Sequence, residues 1–97
     1  MNMAVMEVTR LRVAPDKVAA LRSARAGMLD AFQTRPGFVR ADLVQLSSDE
    51  WLDLIVWDTS DDFAESRRRG GDSDSVRTFF AAIDEVISSE EGELWAP

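Results

Sequence analysis

The segment Glu50-Trp51-Leu52-Asp53-Leu54-Ile55-Val56-Trp57 restricts the possible folds more than any other part of the chain. It is rich in β-branched and aromatic residues, and turn residues bound it on both sides (Ser47-Ser48-Asp49 before it, Asp58-Thr59-Ser60 after it), so it reads as a strand. Successive side chains on a strand point to opposite faces. Trp51, Asp53, Ile55 and Trp57 therefore share one face, and Leu52, Leu54 and Val56 share the other. A strand with water on one side alternates apolar and polar residues. This strand is apolar on both sides, so its sheet needs cover on both.

The rest of the chain supplies cover for one face. Ala4 to Val13 alternates and reads as a first strand, with Val5, Glu7, Leu11 and Val13 on one face and Met6 and Val8 on the other. Pro15 and Asp16 open a helix over Val18 to Thr34, and Arg35-Pro36-Gly37 breaks it. Phe38 to Leu46 is a second strand, forming a hairpin with the third. Thr59 or Ser60 caps a short helix over Asp61 to Arg69, which Gly70-Gly71 ends. Asp72, Ser73 or Asp74 caps another helix reaching to about Val86, with Val76, Phe79, Phe80 and Ile83 as its apolar stripe. A last strand lies between Val86 and Trp95. The order β-α-β-β-α-(α)-β predicts one α+β domain over residues 1–97, ferredoxin-like, with an antiparallel sheet and all helices on one side. The uncovered face predicts a homodimer that buries sheet against sheet.

Composition then narrows the chemistry. The 97 residues include no Cys, no His and no Tyr. Disulfides, thiol nucleophiles, Ser-His-Asp catalysis, Cys/His zinc sites and histidine-ligated haem are thereby excluded. Acid–base work falls to Asp, Glu, Arg, the lone Lys17 or the substrate itself. The net charge of −7 is uneven: residues 1–48 carry +3 and residues 49–97 carry −10. An acidic surface argues against nucleic acid and anionic membranes as partners. The N-terminus lacks a basic flank and a long apolar stretch, and no apolar run approaches the ~20 residues of a membrane span. A cytoplasmic location is expected.

Arg25 is the anomaly of the first helix. Val18, Leu21, Met28, Leu29 and Phe32 form an apolar stripe at about 100° per residue, and Arg25 lies within it. A guanidinium on a core face must find a partner or snorkel to water. Asp53 and Glu7 sit on sheet faces that would look at it, so an ion pair in an apolar cavity is expected, with either carboxylate placed for proton transfer. Trp57, at the strand end, reads either as a core plug or as a ring that stacks on a planar ligand. Phe32, Phe63, Phe79 and Phe80 can complete an apolar wall. Arg67-Arg68-Arg69 suits a helix C-terminus and is placed to steer anions at a pocket mouth. Gly70-Gly71 follows a helix, which excludes a phosphate-binding loop, and the acidic clusters lack the spacing of a calcium loop.

Three stretches together resemble the antibiotic biosynthesis monooxygenase superfamily of dimeric α/β barrels. They are Val13-Ala14-Pro15-Asp16-Lys17 at the exit of the first strand, Arg35-Pro36-Gly37-Phe38 after the helix, and Trp57-Asp58-Thr59-Ser60-Asp61-Asp62-Phe63 after the hairpin. The resemblance implies ferredoxin-like monomers paired through their sheets. Some members oxidise polycyclic aromatic phenols with dioxygen and neither metal nor flavin, the deprotonated substrate itself activating oxygen; others degrade haem. Trp57 would correspond to a pocket-lining tryptophan. This chain departs from the pattern in having no His to bind haem and no Tyr to contact a phenol. On this resemblance the chain is a cofactor-independent oxygenase of a planar aromatic metabolite. Asp53 or Glu7 would be the base, Arg25 the oxyanion donor, and Trp57, Phe32, Phe63 and Phe79 the substrate wall, with no cofactor and no metal. The alternative is a non-catalytic dimeric barrel that binds a small apolar ligand or serves as an accessory subunit.

Overall fold

The alternating segments pair into one antiparallel sheet in the computed structural model, which describes residues 3–95. Strand β1 (Val5–Arg12) leads through a turn of 3-10 helix (Pro15–Lys17) into helix α1 (Val18–Phe32). Strands β2 (Phe38–Gln45) and β3 (Glu50–Trp57) follow, then helices α2 (Ser60–Arg69) and α3 (Asp74–Ala81), then strand β4 (Glu85–Glu93). The sheet order is β2-β3-β1-β4, the ferredoxin-like arrangement. The smallest dimension, 18 Å, is that of a sheet with one layer of helices.

Local chemistry sets the helix ends. Thr59 Oγ1 accepts from Asp62 N at 3.0 Å and caps α2, while Ser73 Oγ accepts from Val76 N at 3.3 Å and caps α3. Helix α3 stops at Ala81, short of the expected end near Val86. The chain is pulled into the sheet instead: Asp84 N donates to Arg12 O at 2.9 Å, and the Asp84 carboxylate accepts from Ala14 N at 2.7 Å and Lys17 Nζ at 2.6 Å. Val86 then pairs with Leu11 inside β4. Propensity favoured more helix, and these long-range bonds overrode it.

The core lies between the helices and the sheet. Leu21, Met28 and Phe32 of α1, Phe63 of α2, and Val76 and Phe79 of α3 pack on Val5, Leu11, Trp51, Ile55 and Trp57. Gly37, at φ +80°, turns the chain from α1 into β2. Its carbonyl accepts from Asp58 N at 2.8 Å, and a Cβ here would collide with the Asp62 carboxylate. The reverse face of the sheet carries Met6, Val8, Leu52 and Leu54, half-buried, with Val44 exposed beside them. Arg10 and Arg12, ion-paired to Glu50, edge this apolar strip. No described helix is long and apolar enough to cross a membrane.

Candidate active site

Helix α1 brings a continuous stripe down onto the sheet: Leu21, Arg25, Met28, Phe32 and, just past the helix end, Arg35, all buried. The spacing of three or four residues is that of one helical face. Two charges therefore enter the interior from α1 and its exit, and the structure gives each its own partners.

Arg25 meets Asp53. Its Nη1 donates to Asp53 Oδ1 at 2.7 Å, with only 7% and 6% of the two residues exposed. The guanidinium also lies 5.9 Å from the centre of the Phe79 ring. Burial pushes the Asp53 carboxyl above its ordinary pKa, and Arg25 opposes the rise without cancelling it. Arg35 does different work. Its Nη1 donates to Ser66 O at 3.1 Å and Ser66 Oγ at 2.7 Å, and its Nη2 to Gly70 O at 2.9 Å and Asp72 Oδ1 at 3.0 Å. It also stacks 4.4 Å from the Phe32 ring centre. Arg35 thus ties the end of α1 to the end of α2.

Glu7 sits beside these groups on β1, facing the helices. Its Oε1 accepts from the Trp57 indole Nε1 at 3.3 Å. Desolvation raises its pKa, the Trp57 hydrogen bond pulls it down, and the nearby Asp53 charge raises it again; Arg67 and Arg35 oppose. Glu7 lines a pocket of about 240 Å³ between the β1–β4 half of the sheet and the helices. Thr9, Phe32, Arg35, Ser66, Arg67, Val76 and Phe80 share its wall.

The expected residues thus fall into separate groups. Glu7 and Phe32 line the pocket, as do Phe80 and, from the cationic run, Arg67. Asp53 and Arg25 form a buried pair; Arg25 bonds Asp53 and makes no hydrogen bond to Glu7. Trp57 is 0% exposed and touches the site through its indole N–H, its ring packed 5.8 Å from both Phe32 and Phe38. Phe63 and Phe79 lie in the core, 2% and 1% exposed, and neither is in the pocket wall. From the sequence Arg35 reads only as part of a helix breaker; its place one turn beyond Phe32 on the Leu21–Arg25–Met28–Phe32 stripe is the signal for it. No cluster of three or more carboxylates among the described residues is arranged to hold a metal ion.

A profile of the antibiotic biosynthesis monooxygenase family matches residues 4–78, which is most of the chain. The chain belongs to this family. Among solved structures, this monooxygenase-family chain is 25% identical to SnoaB, a cofactor-independent oxygenase from Streptomyces nogalater. The two superpose with a TM-score of 0.70 over 98% of this chain and 94% of SnoaB. A Bordetella bronchiseptica protein named for the same family superposes at 0.82 with 14% identity, over 97% of this chain and 99% of its own. MupZ from Pseudomonas fluorescens shares the fold at 0.76 and 12% identity, over 94% of this chain and 68% of MupZ. No curated protein matches the chain.

Proposed function

We propose that this family member is a cofactor-independent monooxygenase of a compact planar phenol, with Glu7 as the base. The observation that carries the reading is the Glu7 carboxylate. It has a raised pKa, is held by a buried indole N–H, and lies in the wall of a largely apolar pocket. A carboxylate made more basic by burial is a better acceptor for a phenolic proton. The pocket is slightly below the usual ~300–1,000 Å³ of small-molecule sites, which fits a flat, compact ligand. Its walls provide Phe32 and Phe80 against a ring face, and the Arg67 guanidinium faces the developing phenolate.

In this reading the roles shift within the expected set. Arg25 is committed to Asp53, so the phenolate is stabilised by Arg67 rather than by Arg25. Burial, with the Asp53 charge behind it, keeps Glu7 basic. Trp57, fully enclosed, positions Glu7 and does not stack on substrate. Phe63 and Phe79 support the wall from behind. Once Glu7 takes the proton, the phenolate supplies the electrons and dioxygen accepts them. One oxygen atom bonds to a ring carbon. That carbon then loses its proton as the O–O bond breaks. The ring proton and the proton held by Glu7 pass to the other oxygen, which leaves as water, and the phenol becomes a quinone.

The same proposal includes a homodimer formed through the strip of Met6, Val8, Leu52 and Leu54, because helices cover only the opposite face. Leu54→Glu would place a charge in that interface and give a monomer by sedimentation; a wild-type monomer at micromolar concentration overturns this part. The catalytic test is oxygen uptake with a panel of polycyclic phenols, without added metal or flavin. Glu7→Gln keeps an acceptor for Trp57 and should lower the rate by about 10²–10⁴-fold. No uptake across the panel overturns the oxygenase reading in favour of a barrel that only binds its ligand.

A further inference from the structure

A second cleft, on the β2–β3 half of the sheet, contains buried donors without acceptors. It lies between α1 and the hairpin, has a volume of about 570 Å³, and shares no lining residue with the Glu7 pocket. Arg25 and Trp51 are both in its wall, each 7% exposed. Arg25 Nη2 and Trp51 Nε1 are buried and find no hydrogen-bond partner among the described residues. Buried polar groups in folded proteins are almost always satisfied, so two orphans in one wall need an explanation. Only Nη1 of Arg25 is used by Asp53, which leaves the other arm of the fork free.

The charge and lining specify the ligand. Arg22, exposed one turn before Arg25, lines the same cleft. With Asp53 offsetting one of the two guanidiniums, the cleft keeps an excess positive charge. Leu29 and Leu43 make its other surfaces apolar. We propose that this cleft binds a small aromatic carboxylate. Its oxygens accept from Arg25 Nη2 and Trp51 Nε1, which are buried in the free protein and are uncovered when the exposed Arg22 side chain swings aside. Its ring lies between Leu29 and Leu43, and Arg22 then closes over the charged end. A charge-assisted, two-donor arrangement of this kind favours a carboxylate over a neutral isostere. The site stands apart from the oxygenase reading and requires no chemistry at Glu7.

The test is a titration of 2-naphthoate into nitrogen-15-labelled protein, read at the indole N–H signals of Trp51, Trp57 and Trp95. The expected result is a saturable downfield shift of the Trp51 signal with the Trp57 signal unmoved. 2-Methylnaphthalene should bind at least about tenfold more weakly, and Trp51→Phe should weaken naphthoate about fivefold or more. Ala26→Trp fills the cleft from an exposed helix position, so it blocks binding without touching either donor or the fold. A Trp51 signal that stays still, a shift at Trp57 in its place, or equal binding by wild type, Trp51→Phe and Ala26→Trp would overturn the proposal. Equal binding of 2-methylnaphthalene would overturn the carboxylate assignment.

Discussion

Replacing Arg25 by Met tests the interior ion pair directly. The substitution keeps most of the aliphatic packing and leaves the Asp53 carboxylate, 6% exposed, without its cation. That carboxylate has one escape, which is to take up a proton. Its ordinary pKa is 3.8, so neutralising it at pH 7 means climbing 3.2 pH units at about 1.36 kcal/mol each, about 4.4 kcal/mol. This is a ceiling on the electrostatic penalty, and it falls within the ~3–5 kcal/mol typical of breaking a buried pair from one side. At pH 5 the same ceiling is about 1.6 kcal/mol. The sign follows from linkage: a carboxyl whose folded pKa stands above its unfolded value binds an extra proton in the native state, so its contribution improves as pH falls toward 3.8 and is lost as pH rises. Urea unfolding followed by tryptophan fluorescence should therefore show Arg25→Met strongly destabilised at pH 7, with the deficit shrinking by up to about 2.7 kcal/mol at pH 5. Adding Asp53→Leu removes the buried charge and should restore most of the loss with no such pH dependence. A deficit equal at both pH values, or larger at pH 5, would refute the reasoning.

Other perturbations probe the remaining contacts. Trp57→Phe removes the one hydrogen bond that lowers the Glu7 pKa, so the acid limb of the oxygen-uptake profile should move to higher pH, and the cavity left by the smaller ring should cost about 1–2 kcal/mol in urea unfolding. Arg35→Met breaks four hydrogen bonds between the α1 exit and the α2 end; a loss of about 2–4 kcal/mol in urea unfolding is expected, with fast amide exchange at Ser66 to Gly70. Gly37→Ala forces a Cβ against Asp62 at positive φ and should lower stability by at least about 1–3 kcal/mol in the same assay, the deficit easing when Asp62→Gly, which removes the opposing Cβ as well as the carboxylate, is added.

How far the sequence could be read follows the range of the forces involved. β3 was legible to the residue because its pattern is local: a turn, an alternating run, and a capping Thr59. The end of α3 was not, because the bonds of Asp84 reach back to Arg12, Ala14 and Lys17. Arg25 and Asp53 were legible as partners because a charge on a core stripe has few solutions, and the strand parity of Asp53 offered one. Parity cannot say how far along a strand two groups meet. It placed Glu7 on the correct face, but not beside the Trp57 indole rather than the Arg25 guanidinium. It likewise could not tell Phe32 and Phe80, at the pocket wall, from Phe63 and Phe79 behind it, since all of them sit at apolar helical positions.

The position of β1 between β3 and β4 orders events in time. The strand made early has both hydrogen-bonding edges filled by segments made later, Glu50–Trp57 on one side and Glu85–Glu93 on the other. At ~5–20 residues per second, β1 waits roughly 2–9 s after its own synthesis for β3 to be complete, and longer for β4. During that interval the emerging chain presents an apolar strand with two open edges. Helix α1, the next element to emerge, is the first one able to shelter it.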